Sequence, residues 1–163
     1  MVHADEVIAL LQLEPLAMEG GFFSETYRCP EVVSLGAGRD RAFSTAIYYL
    51  LRGAEVSKLH RLRSDEIFHF YAGDAVEMLL LRDGCGEVVM LGADLAHGMR
   101  PQLIVPRGVW QGCRLRPGGH WALMGTTVSP GFAYEDFEMG SCAELAALHP
   151  AHADLIRTLS PGP

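Results

Sequence analysis

No stretch of this 163-residue chain approaches the ~20 consecutive apolar residues that a membrane-spanning helix needs, so no membrane partner is expected. The opening Met1-Val2-His3-Ala4-Asp5-Glu6 lacks the basic stretch that starts a secretory signal. Cysteine is sparse, and the four present (Cys29, Cys85, Cys113 and Cys142) form no C-x-x-C pair. Isolated thiols of this kind fit a reducing compartment, and a cytoplasmic protein is expected. Positive charge is short, with 13 Lys and Arg against 20 Asp and Glu for a formal charge of -7. Such an acidic chain is a poor partner for nucleic acid. No segment repeats, and none is of low complexity. The G-x-G at Gly36-Ala37-Gly38 is followed by no strand-to-helix unit, so it reads as a loop and not as a phosphate cradle.

What is present is a β-rich middle between two helical ends. The length suits a single domain, residues 1–163, with enough chain to bury a core. Asp5 can cap a short helix in which Val7, Leu10 and Leu11 share one face. Ser141-Cys142-Ala143-Glu144 has capping-box spacing ahead of Leu145 and Leu148. Pro150 breaks that pattern, and Leu155, Ile156 and Leu159 suggest a last helical segment. Strands are predicted at 43–51, 66–71, 76–81, 87–91, 102–105, 110–115, 121–128 and 132–138. Asp83-Gly84-Cys85-Gly86 is a hairpin signal, and Gly73-Asp74, Pro117-Gly118-Gly119 and Pro130-Gly131 mark further turns. Many short strands with no helical crossover between them indicate an all-β sandwich or barrel and exclude a parallel α/β sheet.

Within that middle, His60 is followed six positions later by Glu66 and seven beyond that by Gly73. With Glu19-Gly20-Gly21-Phe22-Phe23, Glu25-Thr26-Tyr27-Arg28, Thr45 through Leu51, Val105 through Gln111 and Val128-Ser129-Pro130-Gly131-Phe132, the chain resembles the cupin superfamily. It is most similar to the small single-domain branch left as a domain of unknown function. The resemblance spans about residues 7–139, with residues 141–159 as a C-terminal helical tail. It implies a double-stranded β-helix (a jelly-roll barrel) with short N- and C-terminal helices, a small-molecule pocket and a homodimer. The fold and pocket also resemble those of dTDP-4-keto-6-deoxysugar 3,5-epimerases. The first cupin motif, H-x-H-x3-E-x6-G, has Leu62 at its second His, and the second motif, P-x-G-x2-H, has Pro106, Gly108 and then Gln111 at its His. Ala17-Met18 and Phe68 stand where relatives in this branch carry His-Pro and Trp.

Three chemistries are open to these residues. One imidazole, one carboxylate and one amide, from His60, Glu66 and Gln111, could hold a divalent metal such as Zn, Mn, Fe or Ni; the alternative is a hydrogen-bonded His60–Glu66 pair with no metal. His69 falls on the opposite face of its strand from Glu66, Phe68 and Phe70, so it is not expected to supply a second imidazole. As an acid–base pair, His60 and Glu66, with Tyr27 or Tyr134 as the acid, could move a proton next to a sugar carbonyl, the isomerase chemistry the epimerase resemblance implies. Arg28, neighboured by Glu19 and Glu25, could hold an anionic group on a sugar or nucleotide-like ligand. The third reading is a non-catalytic binding pocket formed by Phe68, Phe70, Trp110, Gln111 and Glu19. Cys113 reads as a buried, inert thiol, and Arg61 and Arg63 as solvated or paired flanks of the motif.

Overall fold

A computed structural model describes residues 2–162 of the chain. Two antiparallel sheets face each other as a jelly roll, and short helices cover their outer faces. In chain order, helix α1 (Ala4–Leu11) precedes strands β1 (Glu14–Pro15), β2 (Phe22–Arg28), β3 (Val32–Ser34), β4 (Asp40–Ala42), β5 (Thr45–Arg52) and β6 (Val56–Leu62). The chain continues through β7 (Asp65–Gly73), β8 (Val76–Arg82), β9 (Cys85–Leu91), β10 (Gln102–Val105), β11 (Trp110–Leu115), β12 (Trp121–Ser129) and β13 (Phe137–Met139). Helices α2 (Cys142–Leu148) and α3 (Ala153–Thr158) close it. The larger sheet has the order β1-β2-β5-β12-β7-β10 and the smaller β13-β6-β11-β8-β9, with β3 and β4 as a separate ribbon. Spatial neighbours such as β5, β12 and β7 are distant in sequence, the crossed order of a double-stranded β-helix. Among the described residues no helix is long and apolar enough to cross a membrane.

Local chemistry explains the corners. Asp83 and Gly84 have φ of 49° and 77°, the left-handed pair that closes the β8–β9 hairpin. Gly73, at the end of β7, has φ of 93°, and a Cβ there would collide with the Trp121 carbonyl; only glycine fits. One end of the barrel is filled by Tyr49, Leu51, Phe68, Met78, Cys113 and Met124 with their neighbours. A second cluster, Leu59, Leu79 and Leu81 with Leu145, Ile156 and Leu159, glues α2 and α3 to the outside of the smaller sheet. A third, Val7 and Leu13 on Leu50, seats α1 on the larger sheet. Each such side chain contributes roughly 1.5–3 kcal/mol when fully buried.

Several elements differ from expectation. His3, not Asp5, holds the α1 cap position, and the Glu6 carboxylate accepts from the His3 backbone N–H at 2.9 Å. The buried side of α1 is Val7 with Ile8 and Leu11, while Leu10 is 76% exposed. In α2 the Ser141 hydroxyl accepts from the Glu144 N–H, and Leu145 is buried but Leu148 is not. The predicted strand at 132–138 is mostly a strap: a 3-10 turn at Tyr134–Asp136 precedes the short β13. Asp136 is the reason, since its buried carboxylate turns back to accept from Arg41 at 2.7 Å and from Arg39 at 3.3 Å. The strand expected at 43–51 runs instead over Thr45–Arg52. Strands β1 to β4 and β6 had no counterpart in the sequence pattern.

Candidate functional site

The end of the barrel not filled by the core is a cavity of about 110 Å³. Its floor and walls carry His60, Glu19, Glu66, Thr45 and Thr126, with Leu62, Phe23, Ile47 and Val128 around them. Two β-bulges decide which side chains reach it. β6 pairs Ser57 with Cys113 and His60 with Gln111, so three steps on β6 match two on β11. The extra residue turns Leu59 outward to the helices and His60 inward to the cavity. On β2, Glu25 pairs with Ile47 and Tyr27 with Ala46, leaving Thr26 as the extra residue. After that slip Arg28 lies opposite Thr45 and lines the cavity, while Tyr27 points out and is 51% exposed.

His60 is held in one orientation. Its Nδ1 lies 2.7 Å from the Lys58 carbonyl, which can only accept, so the imidazole proton sits on Nδ1 and Nε2 carries the free lone pair. The ring stacks on Phe137 at 4.9 Å, and only 2% of the residue is exposed. Nε2 faces Glu19 Oε2 at 3.9 Å, too far for a hydrogen bond. The other Glu19 oxygen accepts from the Ser57 hydroxyl. Gly20 follows with φ of 110°, packed where a Cβ would strike the Val56 carbonyl; that close approach brings Glu19 over β6. Glu66, buried, accepts from the Gln111 amide at 2.6 Å. Burial pushes its carboxyl above the usual range; His60 pulls it back, Glu19 raises it, and hydrogen bonds from Gln111 and Thr126 lower it. Beneath the floor, burial raises the Tyr49 phenol and the Cys113 thiol, so both stay protonated.

The mouth is built from β2 and the strap. Arg28 donates twice to Glu25, at 3.0 and 2.7 Å, and once to the Phe132 carbonyl at 3.3 Å. Phe132 follows the cis Ser129–Pro130 bond, its N–H bonded to the Thr45 hydroxyl, and its ring meets Tyr134 edge-on.

The sequence-derived site residues therefore divide. His60, Glu66, Glu19 and Arg28 come together, with Tyr134 at the rim. Tyr27 is displaced by the bulge. Phe68 is part of the filled end, with Phe70 packed against it. Trp110 lies on the outer face of the smaller sheet, under Arg61 at 4.4 Å and beside the C-terminal helices. Gln111 is behind Glu66 and does not line the cavity. His69 faces outward, beside Gln102 and Thr127. Arg61 is paired with Glu138 at 2.8 Å. Thr45, Thr126 and Phe137 were not anticipated; the alternation of β5 and β12 against Glu66 carries the signal for the two threonines.

The metal set His60, Glu66 and Gln111 is not assembled. Gln111 turns its amide N–H toward Glu66, and its Oε1 is buried with no partner among the described residues. Among those residues no three His, Cys, Asp or Glu side chains are placed to hold one ion. The donor set does not fit a divalent metal, which needs several converging lone pairs.

The family profile described as "Cupin superfamily (DUF985)" matches residues 5–140. The chain is 38% identical to protein SO0799 from Shewanella oneidensis, with a TM-score of 0.88 over 100% of both chains. A hypothetical protein from Leishmania major is 33% identical with a TM-score of 0.90, over 99% of this chain and 100% of the other. The uncharacterized protein YML079W of Saccharomyces cerevisiae is 32% identical over 132 residues, 72% of this chain. That match spans 66% of the yeast protein, just under two thirds of its length. Two enzymes share the fold alone. A dTDP sugar isomerase from Desulfovibrio desulfuricans is 18% identical (TM-score 0.55, 78% of this chain and 87% of that one). Oxalate decarboxylase from Bacillus subtilis is 14% identical (TM-score 0.55, 89% and 40%).

Proposed function

Because this chain belongs to the DUF985 family of the cupin superfamily, we propose that its barrel cavity is a small-molecule site and that it isomerises a sugar-like substrate by proton transfer. The observation that carries the reading is the His60 tautomer. With Nδ1–H spent on the Lys58 carbonyl, Nε2 presents a lone pair to the cavity and acts as the base. It removes a proton from the carbon beside a substrate carbonyl, and Glu19, 3.9 Å away, stabilises the imidazolium that forms. Glu66 has the complementary tendency: burial favours its protonated form, which donates to the oxygen of the resulting enolate. Protonation of the opposite face of the carbon, by water or by the Tyr134 hydroxyl at the rim, inverts it, and the imidazolium gives its proton up to solvent. The reading is supported by the fold shared with a protein described as a dTDP sugar isomerase.

A second reading, ligand binding without turnover, is favoured by the position of Tyr27, which leaves no β2 phenol opposite His60. One experiment separates the two. A panel of keto-sugars and aldoses incubated in D2O should show exchange of the α C–H for C–D by NMR. His60→Gln should slow the exchange by about 10²–10⁴-fold, and Glu66→Gln should also slow it. Wild-type protein that binds members of the panel but exchanges none of them would leave only the binding reading.

A further inference from the structure

His60 and Glu19 present only hydrogen-bond acceptors to the cavity floor. His60 has one N–H, and the Lys58 carbonyl takes it; Nε2 has no hydrogen-bond partner among the described residues, although the residue is 98% buried. Glu19 is an acceptor beside it, and Glu66 accepts from the Gln111 amide. Among the described residues Arg28 is the one guanidinium lining the cavity, and it is committed to both Glu25 oxygens and to the Phe132 carbonyl. Glu19, Glu25 and Glu66 thus outweigh Arg28, and the lining stays negative even with a proton on Glu66. An anionic group entering here would meet carboxylates and, among the described residues, no uncommitted cation.

Resting on the small-molecule reading above, we infer that the cavity takes an organic cation: a small ligand whose primary ammonium group sits on Glu19. The Oε2 of Glu19 is not used within the fold, and an ammonium hydrogen-bonded to it at about 2.8 Å would place its own carbon against His60 Nε2. The rings of Phe23, Phe132 and Phe137 supply apolar contact for the rest of the ligand and electron-rich faces for the charge. The substrate class narrows accordingly, from phosphorylated or acidic sugars to amino-bearing ones. A positive substituent also makes the neighbouring C–H more acidic, which assists its removal by an imidazole.

An isosteric series decides the charge class without requiring turnover. Benzylamine, benzyl alcohol and benzoate are titrated into the full chain at pH 7.5, with binding read by calorimetry and by the NMR shifts of the His60 ring. Benzylamine is expected to bind at least about tenfold tighter than benzyl alcohol, equivalent to ~1.4 kcal/mol, and benzoate not at all. In Glu19→Gln the advantage of the amine should vanish; the wild-type series decides even if that variant fails to fold. Benzyl alcohol or benzoate binding at His60 as tightly as the amine would overturn the cation site and leave the small-molecule reading standing. Failure of all three to shift His60 would overturn both.

Discussion

Glu66 and Asp136 are both buried carboxylates, yet acid acts on them in opposite senses. Burial holds Glu66 above its ordinary value of 4.5, so its contribution to stability is complete below that value and is lost as pH rises through the folded one. Glu66→Gln should therefore flatten the fall of Tm between pH 4 and 8, with the variant gaining on wild type as pH increases. A variant that loses ground over that range would contradict the assignment. Asp136 is held below its ordinary 3.8, first by the hydrogen bonds from Arg41 and then by the charges of Arg41, Arg39 and Arg63. Its contribution is present above 3.8 and is lost as pH falls through the folded value. Asp136→Asn should cost about 2–3 kcal/mol in denaturant titrations at neutral pH, and less in acid. An equal cost at both pH values would mean that the charge is not what Asp136 contributes.

At the scale of elements, the strap and two bulged strands make the site. Asp136 anchors the strap to β4 through Arg41, and β13 pairs Phe137 with Leu62 and Met139 with His60. Strands β8, β11 and β12 were legible because they are apolar runs bounded by turns that carry Asp83-Gly84, Pro117-Gly118 or Pro130-Gly131. β6 was not. Its apolar residues Val56, Leu59 and Leu62 recur every three positions, because the bulge inserts a step between the inward Ser57 and the inward His60. That spacing imitates a helix, and nothing short of the pairing partner reveals it as a strand. β2 was hidden for a related reason: it is half exposed and polar, and its phase changes at Thr26. The residues His60, Glu66, Glu19 and Arg28 could be named from the motifs, but Thr45, Thr126 and Phe137, which share their cavity, could not. The faces of Trp110 and Tyr27 depend on local geometry and on what packs outside the sheet.

For the whole molecule, an all-β sandwich or barrel was readable from strand count and turn chemistry, and the jelly roll from the cupin resemblance that the His60–Glu66–Gly73 motif carries. What covers its outer faces was not. The homodimer implied by the resemblance is a proposal, and the larger sheet offers a place for it. Tyr71 and Ile104, 51% and 58% exposed, lie on that sheet's outer face beyond the area capped by α1. Light scattering should give twice 17.8 kDa, and Ile104→Asp should return the mass toward one chain. A wild-type mass of 17.8 kDa would remove the dimer.

Thr26 has no counterpart across the sheet, and it works as a spacer whose value lies in being counted. It sets the reading frame of β2, so that a guanidinium and not a phenol looks into the barrel. A chain one residue shorter at this point could keep every named side chain and still present a different cavity. Comparing members of the family by residue identity alone would then pair the wrong neighbours. Length in β2 is part of what the site inherits.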